Sequence, residues 1–341
     1  MKAIVFERHG GPEVLQYTDV PEPVVGVNWI LVRVRACALN HLDLWVRKGL
    51  PGIPLPHIPG SDIAGEVVRV GEAVTNMRIG EKVLLQPGVS CGHCPKCLAG
   101  NDSQCRQYTL LGQGIDGGCA EYVAAPASNA VPIPHGVSFE EAAAFPLVFL
   151  TAWHMLFTRA RLAPAETVLI LGAGSGVGTA AIQLAKAAGA RVIATAGSAA
   201  KLAKAKELGA DETIDHSAQQ ISKEVKRLTG GKGVDVVFEH VGQATWEESL
   251  RSLATAGRLV TCGATTGHEG QIDIRHLFVK QLSVLGSFMG GKAELFPSLE
   301  LFARGIVKPV IDVVMPLEKC AEAHRRIERR EQFGKVVLKV D

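Results

Sequence analysis

Four cysteines in one short segment have the spacing of a metal site. Cys91, Cys94, Cys97 and Cys105 follow the pattern C-x2-C-x2-C-x7-C. Four thiolates so close in sequence can complete a tetrahedral shell around zinc and leave no coordination position open. An iron–sulfur cluster is the chemical alternative for the same four ligands. The pattern predicts one structural zinc per chain, which stabilises a lobe over residues 91–105 and takes no part in chemistry.

A second chemical motif is a glycine-rich turn between an apolar run and an amphipathic segment. Residues 168–171 predict a buried strand, glycines follow at alternate positions over residues 172–178, and an apolar helical face continues to Gly189. Strand, glycine turn and helix in this order let backbone N–H groups approach a pyrophosphate at the helix N-terminus. The turn therefore predicts a dinucleotide site. The residues expected at the cofactor are Gly174, Ser175, Gly176, Val177 and Gly178.

Two kinds of secondary structure must position these motifs. Residues 1–125 contain β-branched and alternating runs separated by Pro and Gly turns, which is typical of a mostly-β domain. From residue 139 onward strands and helices alternate, which is typical of a doubly wound parallel sheet. The expected fold class is therefore α/β: a doubly wound parallel sheet and a mostly-β domain that carries the zinc lobe. The elements after residue 292 are expected to return to the mostly-β domain.

Composition narrows the class of partner. The chain has 341 residues, 47% of them hydrophobic, and a formal net charge of +2 without a long basic run. This balance argues against nucleic acid or a membrane surface as the main partner. No apolar stretch reaches the length of a membrane span, and the first residues do not have the pattern of a signal peptide. The expected location is the cytoplasm, where cysteines serve as metal ligands or buried thiols rather than in disulfides.

Taken together, these motifs resemble those of the medium-chain dehydrogenase/reductase superfamily, which includes zinc alcohol dehydrogenases and quinone oxidoreductases. The resemblance extends over essentially the whole chain. It implies a GroES-like catalytic domain over residues 1–125, completed by residues 300–341, and a Rossmann dinucleotide-binding domain with its connecting helix over residues 126–299. The residues that carry it, besides the cysteine lobe and the glycine turn, are Met1-Lys-Ala, Gly11-Pro-Glu-Val-Leu15, Gly60-Ser-Asp-Ile-Ala-Gly65 and Gly71.

The two branches of this family differ at the catalytic metal. Zinc alcohol dehydrogenases place Cys, His and Cys at three positions where this chain has Asn40, Ser61 and Leu147. These side chains are poor zinc ligands or cannot bind zinc at all. Quinone oxidoreductase-like enzymes resemble the chain better at Asn40 and at Gly60-Ser-Asp, although that branch usually lacks the cysteine lobe. The resemblance implies an enzyme with structural zinc and without catalytic zinc. The alternative is a non-standard metal site built from His41, Asp43, His57 and Asp62.

The cofactor is expected to be NADP(H), with NAD(H) as the alternative. An acidic residue about 20 positions after the glycine turn usually binds the adenosine ribose of NAD. Here that position is Ser198, and no Asp or Glu occurs before Glu207. A small polar pocket with Lys201 nearby can accept a 2′-phosphate instead. The residues that the resemblance also places near the cofactor are Thr151, Glu239, Val241, Gly242, Gly263 and Phe288.

A reaction without catalytic zinc favours an activated acceptor. Hydride added to a conjugated enone or a quinone leaves a delocalised oxyanion, which hydrogen-bond donors can stabilise. The predicted function is NADPH-dependent reduction of an activated double bond or quinone in a small hydrophobic carbonyl compound. The alternatives are an alcohol dehydrogenase with a non-standard metal, or an NADPH-binding protein with little turnover. The candidate catalytic residues are Asn40, His41, Ser61 and Asp62.

The chain is also expected to associate with itself. Residues 282–287 form an apolar run near the end of the alternating pattern, which predicts an edge strand able to pair with its copy. The family resemblance implies a homodimer or a homotetramer formed through that edge.

Overall fold

The computed structural model describes residues 1–341 and divides into two compact units. The first unit comprises residues 1–148, 291–299 and 308–341, and the second comprises residues 149–290 and 300–307. No helix has the length and apolar character needed to cross a membrane.

The strands and helices are bounded as follows. The strands are β1 (Lys2–Val5), β2 (Gln16–Asp19), β3 (Trp29–Leu39), β4 (Asp62–Val70), β5 (Lys82–Leu85), β6 (Gly88–Val89), β7 (Thr109–Leu110), β8 (Tyr122–Pro126), β9 (Ala130–Pro132), β10 (Thr167–Ile170), β11 (Arg191–Ala196), β12 (Glu212–Asp215), β13 (Val234–Glu239), β14 (Leu253–Thr261), β15 (Ser283–Gly286), β16 (Ile311–Pro316) and β17 (Lys335–Lys339). The α-helices are α1 (His41–Lys48), α2 (Pro95–Leu98), α3 (Phe139–Ala143), α4 (Pro146–Trp153), α5 (Gly176–Ala187), α6 (Ala199–Glu207), α7 (Ile221–Leu228), α8 (Trp246–Ser252), α9 (Ile274–Val279), α10 (Leu295–Ala303) and α11 (Cys320–Glu328).

The first unit is built on a seven-stranded sheet in the order β16-β17-β3-β4-β5-β9, with β8 also paired to β3. Antiparallel pairing joins β17 to β3 and β3 to β4. Alternating residues of these strands, such as Val32 and Val67, are fully buried in one hydrophobic core. The last strand of the chain therefore lies beside strands from its first seventy residues.

The boundary between the units differs from the one expected at residue 125. Strand β9 pairs with β5, and helix α3 packs on β3, β4 and β5. Residues 291–299 also belong to the first unit, because the Lys292 backbone N–H donates to Asp102 in the zinc lobe and its ammonium donates to Asn129. Pairing and hydrogen bonds between residues distant in sequence determine this boundary, and composition does not indicate them.

The second unit contains a six-stranded parallel sheet in the order β12-β11-β10-β13-β14-β15. This is the order of a Rossmann sheet, with its switch point between β10 and β13. Helices α5 to α8 connect its strands as the alternating pattern predicted. The predicted α/β class is confirmed, and β15 lies at the edge of the sheet.

Candidate active site

The cysteine lobe has the geometry of a four-coordinate metal site. The Sγ atoms of Cys94 and Cys97 are 3.5 Å apart, those of Cys91 and Cys105 are 3.6 Å apart, and those of Cys91 and Cys97 are 3.9 Å apart. A tetrahedron with zinc–sulfur bonds of about 2.3 Å has edges of about 3.8 Å, whereas a disulfide bond is about 2.05 Å long. All four sulfur atoms lie within 4.8 Å of one another. The donor set fits structural zinc.

Three strands bring the catalytic candidates together in the first unit. In the β3–β4 ladder Ala38 lies opposite Asp62, and in the β17–β3 ladder Val336 lies opposite Leu39. Asn40 directly follows β3 and Lys335 begins β17. The pairing therefore places Asn40, Asp62 and Lys335 at one end of three neighbouring strands.

The Asp62 carboxylate is fully buried and accepts hydrogen bonds from three groups. Oδ1 accepts the Leu147 backbone N–H at 2.8 Å, in the first turn of α4. Oδ2 accepts the Lys335 ammonium at 2.8 Å and the Asn40 amide at 2.9 Å. A helix N-terminus and an ammonium both favour a negative charge. The carboxylate thus has its partners within the protein.

The Asn40 side chain is held by the same cluster. Its Oδ1 accepts the Lys335 ammonium at 2.5 Å, and its Nδ2 donates to Asp62 and, at 3.4 Å, to the Ala38 carbonyl. Since an amide nitrogen has two hydrogens, both donors have acceptors in the protein. This arrangement supports an orienting role for Asn40 rather than donation to a substrate.

Ser61 differs from its neighbours because its hydroxyl is unpaired. The residue is 0% exposed, and Oγ has no hydrogen-bond partner in the protein. The preceding residue, Gly60, has a φ of +104°, and a Cβ at this position would lie 2.6 Å from the Cys37 sulfur, so the loop requires glycine there. Buried polar atoms are nearly always hydrogen-bonded, so an unpaired hydroxyl requires an explanation. Among the catalytic candidates at this cluster, Ser61 is the one whose hydroxyl hydrogen has no acceptor in the protein.

Asp43 connects the loop of Ser61 to helix α1. Its Oδ1 accepts the Gly60 N–H at 3.0 Å and its Oδ2 accepts the Asn40 N–H at 2.7 Å. Burial raises the pKa of Asp43 above its usual value, although the nearby His324 and the Asn40 N–H oppose this shift. Asp43 therefore positions both candidates and does not face outward as a base.

The residues of the alternative metal site do not form a group of three or more converging ligands. The four cysteines of the lobe form the only group of three or more metal-binding side chains whose ligand atoms converge. His41 begins α1 and lies edge-on to Trp45, with ring centroids 5.0 Å apart. His57 lies edge-on to Phe6, and its nearest carboxylate is that of Asp116 at 3.4 Å.

The glycine turn of the second unit lies at the carboxyl end of β10, next to the switch point of the sheet. Ser175 is the N-cap of α5 and its Oγ accepts the Gly178 N–H at 2.9 Å. A Cβ on Gly178 would lie 2.5 Å from the Gly172 carbonyl oxygen, so this position requires glycine. The loop geometry fits a pyrophosphate at the N-terminus of α5, near Gly174, Gly176 and Val177.

Sequence reasoning did not single out His240, which follows β13 across the switch point. Its Nε2 lies 2.8 Å from the Leu171 carbonyl oxygen and 3.2 Å from the Ser175 hydroxyl. Burial lowers the pKa of His240, which favours a neutral ring that donates from Nε2 to Leu171. Its neighbours Glu239 and Val241 were cofactor candidates, but nothing in the sequence connects residue 240 with residue 175.

The other cofactor candidates also belong to the second unit. Ser198 follows β11 and caps α6 by accepting the Lys201 N–H at 3.4 Å. Glu239 is fully buried and accepts hydrogen bonds from its own loop, including the Val241 and Gly242 N–H groups. Thr151 lies on α4, with its hydroxyl 3.7 Å from the Met289 sulfur. Gly263 follows β14 and Phe288 follows β15. Most of these positions follow the carboxyl ends of strands, where Rossmann sheets bind ligands.

Comparison with known proteins gives matches along the whole chain. Residues 26–135 match the alcohol dehydrogenase GroES-like domain, and residues 176–304 match the zinc-binding dehydrogenase family. An alcohol dehydrogenase of Geobacillus stearothermophilus is 36% identical and is covered over 100% of both chains. A quinone oxidoreductase of Rattus norvegicus is 32% identical, with 99% of this chain and 97% of the relative covered. A solved NAD-dependent alcohol dehydrogenase superposes with a TM-score of 0.97 at 50% identity, over 100% of both chains.

The chain belongs to the medium-chain dehydrogenase/reductase superfamily and is an NAD(P)-dependent oxidoreductase. The predicted family and enzyme class are confirmed. Alcohol dehydrogenases and quinone oxidoreductases occur among the relatives at similar identity, so the choice between these reactions depends on the site.

Proposed function

We propose that this enzyme transfers a hydride from NADPH to an activated double bond or a quinone without a catalytic metal. The observation that carries the proposal is the buried cluster around Asp62. The three positions that hold zinc in alcohol dehydrogenases contain Asn40, Ser61 and Leu147 here. The adjacent carboxylate of Asp62 already accepts hydrogen bonds from Lys335, from Asn40 and from the Leu147 N–H. These side chains are therefore poorly suited to bind zinc.

The acceptor follows from the groups that remain. Bound NADPH supplies the hydride. Without a Lewis acid, a plain ketone is a poor acceptor, whereas an enone or quinone delocalises the negative charge into an enolate or a hydroquinone anion, which is then protonated. The Ser61 hydroxyl, which has no partner in the protein, is the candidate donor to that oxygen. Asn40 and Asp62 orient the cluster, His41 is a candidate to shuttle the proton, and water is its final source.

The preference for NADPH is supported by the turn after β11. Ser198 stands where an NAD enzyme usually has an acidic residue, and Lys201 lies in the first turn of the following helix. A 2′-phosphate is favoured by a helix N-terminus and a nearby ammonium. The similar solved structure is NAD-dependent, so NADH is the alternative cofactor to be tested.

Self-association is proposed through β15. This strand lies at the edge of the parallel sheet, and its Val284 side chain is 39% exposed. The nearby helix α9 exposes Ile274, Phe278 and Val279. An apolar edge of this kind is usually covered, and pairing with a second copy would form a homodimer, or a homotetramer with a further interface.

The test combines metal content with activity on the chelator-washed protein. We expect one zinc per chain by elemental analysis, and NADPH-dependent reduction of 2-cyclohexenone and 1,4-benzoquinone that resists dipicolinate. The matched control is oxidation of benzyl alcohol with NADP+ under the same conditions. Two zinc ions per chain together with chelator-sensitive alcohol oxidation would refute the proposal in favour of an alcohol dehydrogenase. NADPH binding without turnover on either panel would refute it in favour of a binding protein.

A further inference from the structure

Lys335 is the cation of the buried cluster, and no pattern in the sequence marked it. Its side chain is 2% exposed, with Nζ 2.8 Å from Asp62 Oδ2 and 2.5 Å from Asn40 Oδ1. Removing an ammonium from water is unfavourable, and lysine is almost never fully buried unless it is paired. A buried lysine beside Asn40, which occupies one of the zinc-ligand positions of this family, therefore requires a reason beyond packing.

Pairing with Asp62 accounts for only part of the arrangement. The carboxylate also accepts the Asn40 amide and the N–H at the start of α4, so its charge is stabilised by two other donors. The ammonium has three hydrogens, and the side chains of Asp62 and Asn40 accept two of them. The cluster thus contains the unpaired Ser61 hydroxyl and one further hydrogen on the Lys335 ammonium, which has two acceptors.

We propose that Lys335 is a positioning residue of the reaction, whose ammonium supplies the positive charge that a metal ion supplies in the zinc-dependent branch. It fixes the Asn40 amide through Oδ1, and its charge stabilises the oxyanion that develops on the acceptor. A fixed charge in a buried site needs no reorganisation during the reaction. This inference rests on the proposed function, because it assumes that the acceptor oxygen binds at Ser61.

Four variants separate the charge of Lys335 from its structural role. Lys335→Met removes the charge and keeps most of the length, and Lys335→Arg keeps the charge. The double variant Lys335→Met/Asp62→Asn removes both charges and leaves no unpaired carboxylate. Lys339→Met is the matched control, since Lys339 lies on the same strand with its side chain 56% exposed.

We expect Lys335→Met to lower kcat for 2-cyclohexenone by about 100-fold, the effect of losing one oxyanion-stabilising group. KM for NADPH stays near the wild-type value, because none of the residues proposed to bind its pyrophosphate or its 2′-phosphate is changed. Lys335→Arg keeps more of kcat than Lys335→Met does, and Lys339→Met matches the wild type. The melting temperature falls in Lys335→Met, which leaves Asp62 without its cation, and recovers in the double variant.

The double variant decides the question. A kcat that stays about 100-fold low after the melting temperature recovers supports the proposal. A kcat that recovers together with the melting temperature overturns it, because Lys335 then only neutralises Asp62. If the wild type oxidises alcohols and reduces no enone or quinone, the proposed function fails. The same variants then test Lys335 on alcohol oxidation, where an unchanged kcat in the double variant overturns the inference. A wild type without turnover refutes both.

Discussion

Ser61 and Ser249 offer a matched pair of substitutions with opposite expected effects. Both residues are 0% exposed. The Ser61 hydroxyl has no partner in the protein, whereas the Ser249 hydroxyl donates to the Glu239 carboxylate at 2.5 Å. Replacement of each serine by alanine removes one oxygen atom from a buried position. The difference between the variants therefore measures the hydrogen bond and not the burial.

The expected magnitudes follow from these contacts. Ser249→Ala loses a hydrogen bond to a charged group and should lower the free energy of unfolding by about 1.5–3 kcal/mol. Ser61→Ala loses no hydrogen bond in the protein and removes an unpaired buried hydroxyl, so it should leave that free energy unchanged or raise it by up to about 1 kcal/mol. If the Ser61 hydroxyl stabilises the oxyanion, kcat should fall by about 100- to 1000-fold, or about 2.7–4 kcal/mol. Ser61→Ala is then a folded protein with little activity.

Urea denaturation followed by fluorescence gives the stabilities, and NADPH oxidation with 2-cyclohexenone gives kcat. A Ser61→Ala protein as unstable as Ser249→Ala would show that the Ser61 hydroxyl is hydrogen-bonded in the folded state. A stable Ser61→Ala protein with wild-type kcat would refute its role in the reaction. Either result removes Ser61 from the proposed mechanism.

Four further predictions concern other parts of the chain. Cys97→Ser should lose the zinc. The free energy of unfolding should then fall by about 3 kcal/mol, because the metal no longer closes the 15-residue loop of residues 91–105. An unchanged zinc content by elemental analysis would contradict this prediction. Ser198→Asp should raise KM for NADPH by about 100-fold or more and leave KM for NADH unchanged. The new carboxylate would repel the 2′-phosphate, because two like charges about 4 Å apart repel by about 4 kcal/mol near a protein surface. An equal rise in KM for both cofactors would contradict this prediction. Burial lowers the pKa of His240 in the folded state, so the unfolded chain takes up a proton on this residue first as the pH falls. The free energy of unfolding should therefore decrease as the pH falls below about 6.5. His240→Asn should remove this part of the pH dependence, measured by urea denaturation. Asp43→Asn should cost about 2 kcal/mol, because one of the two N–H groups on Asp43 loses its acceptor; a wild-type urea midpoint contradicts this.

Much of the second unit could be predicted from the sequence. The strand at β10, the helix α5 and its end at Gly189 follow from local patterns, because a parallel sheet buries its strands and exposes one face of each helix. Helix α9 was not predicted, and its six residues lie between strands without a clear apolar period. The first compact unit extends to residue 148, since β9 and α3 belong to it through pairing and packing with β5.

The candidate site divides in the same way. The four cysteines could be recognised because zinc ligands within 15 residues leave a spacing in the sequence. Asn40, Ser61 and Asp62 could be named from the family resemblance, but the sequence did not separate their roles. The structure separates them by hydrogen bonds: Asn40 uses both amide hydrogens within the protein, whereas Ser61 uses none.

The sequence by itself determined the family, the zinc lobe and the dinucleotide turn, because each depends on residues close together in the chain. Only the tertiary structure decided which groups share the buried cluster. Lys335 is 295 residues from Asn40, and His240 is 65 residues from Ser175. The antiparallel pairing of β17 with β3 and the switch point of the parallel sheet bring these pairs together. Strand pairing depends on the whole fold, so no local pattern marks a lysine at the start of an apolar strand as the partner of Asn40 and Asp62.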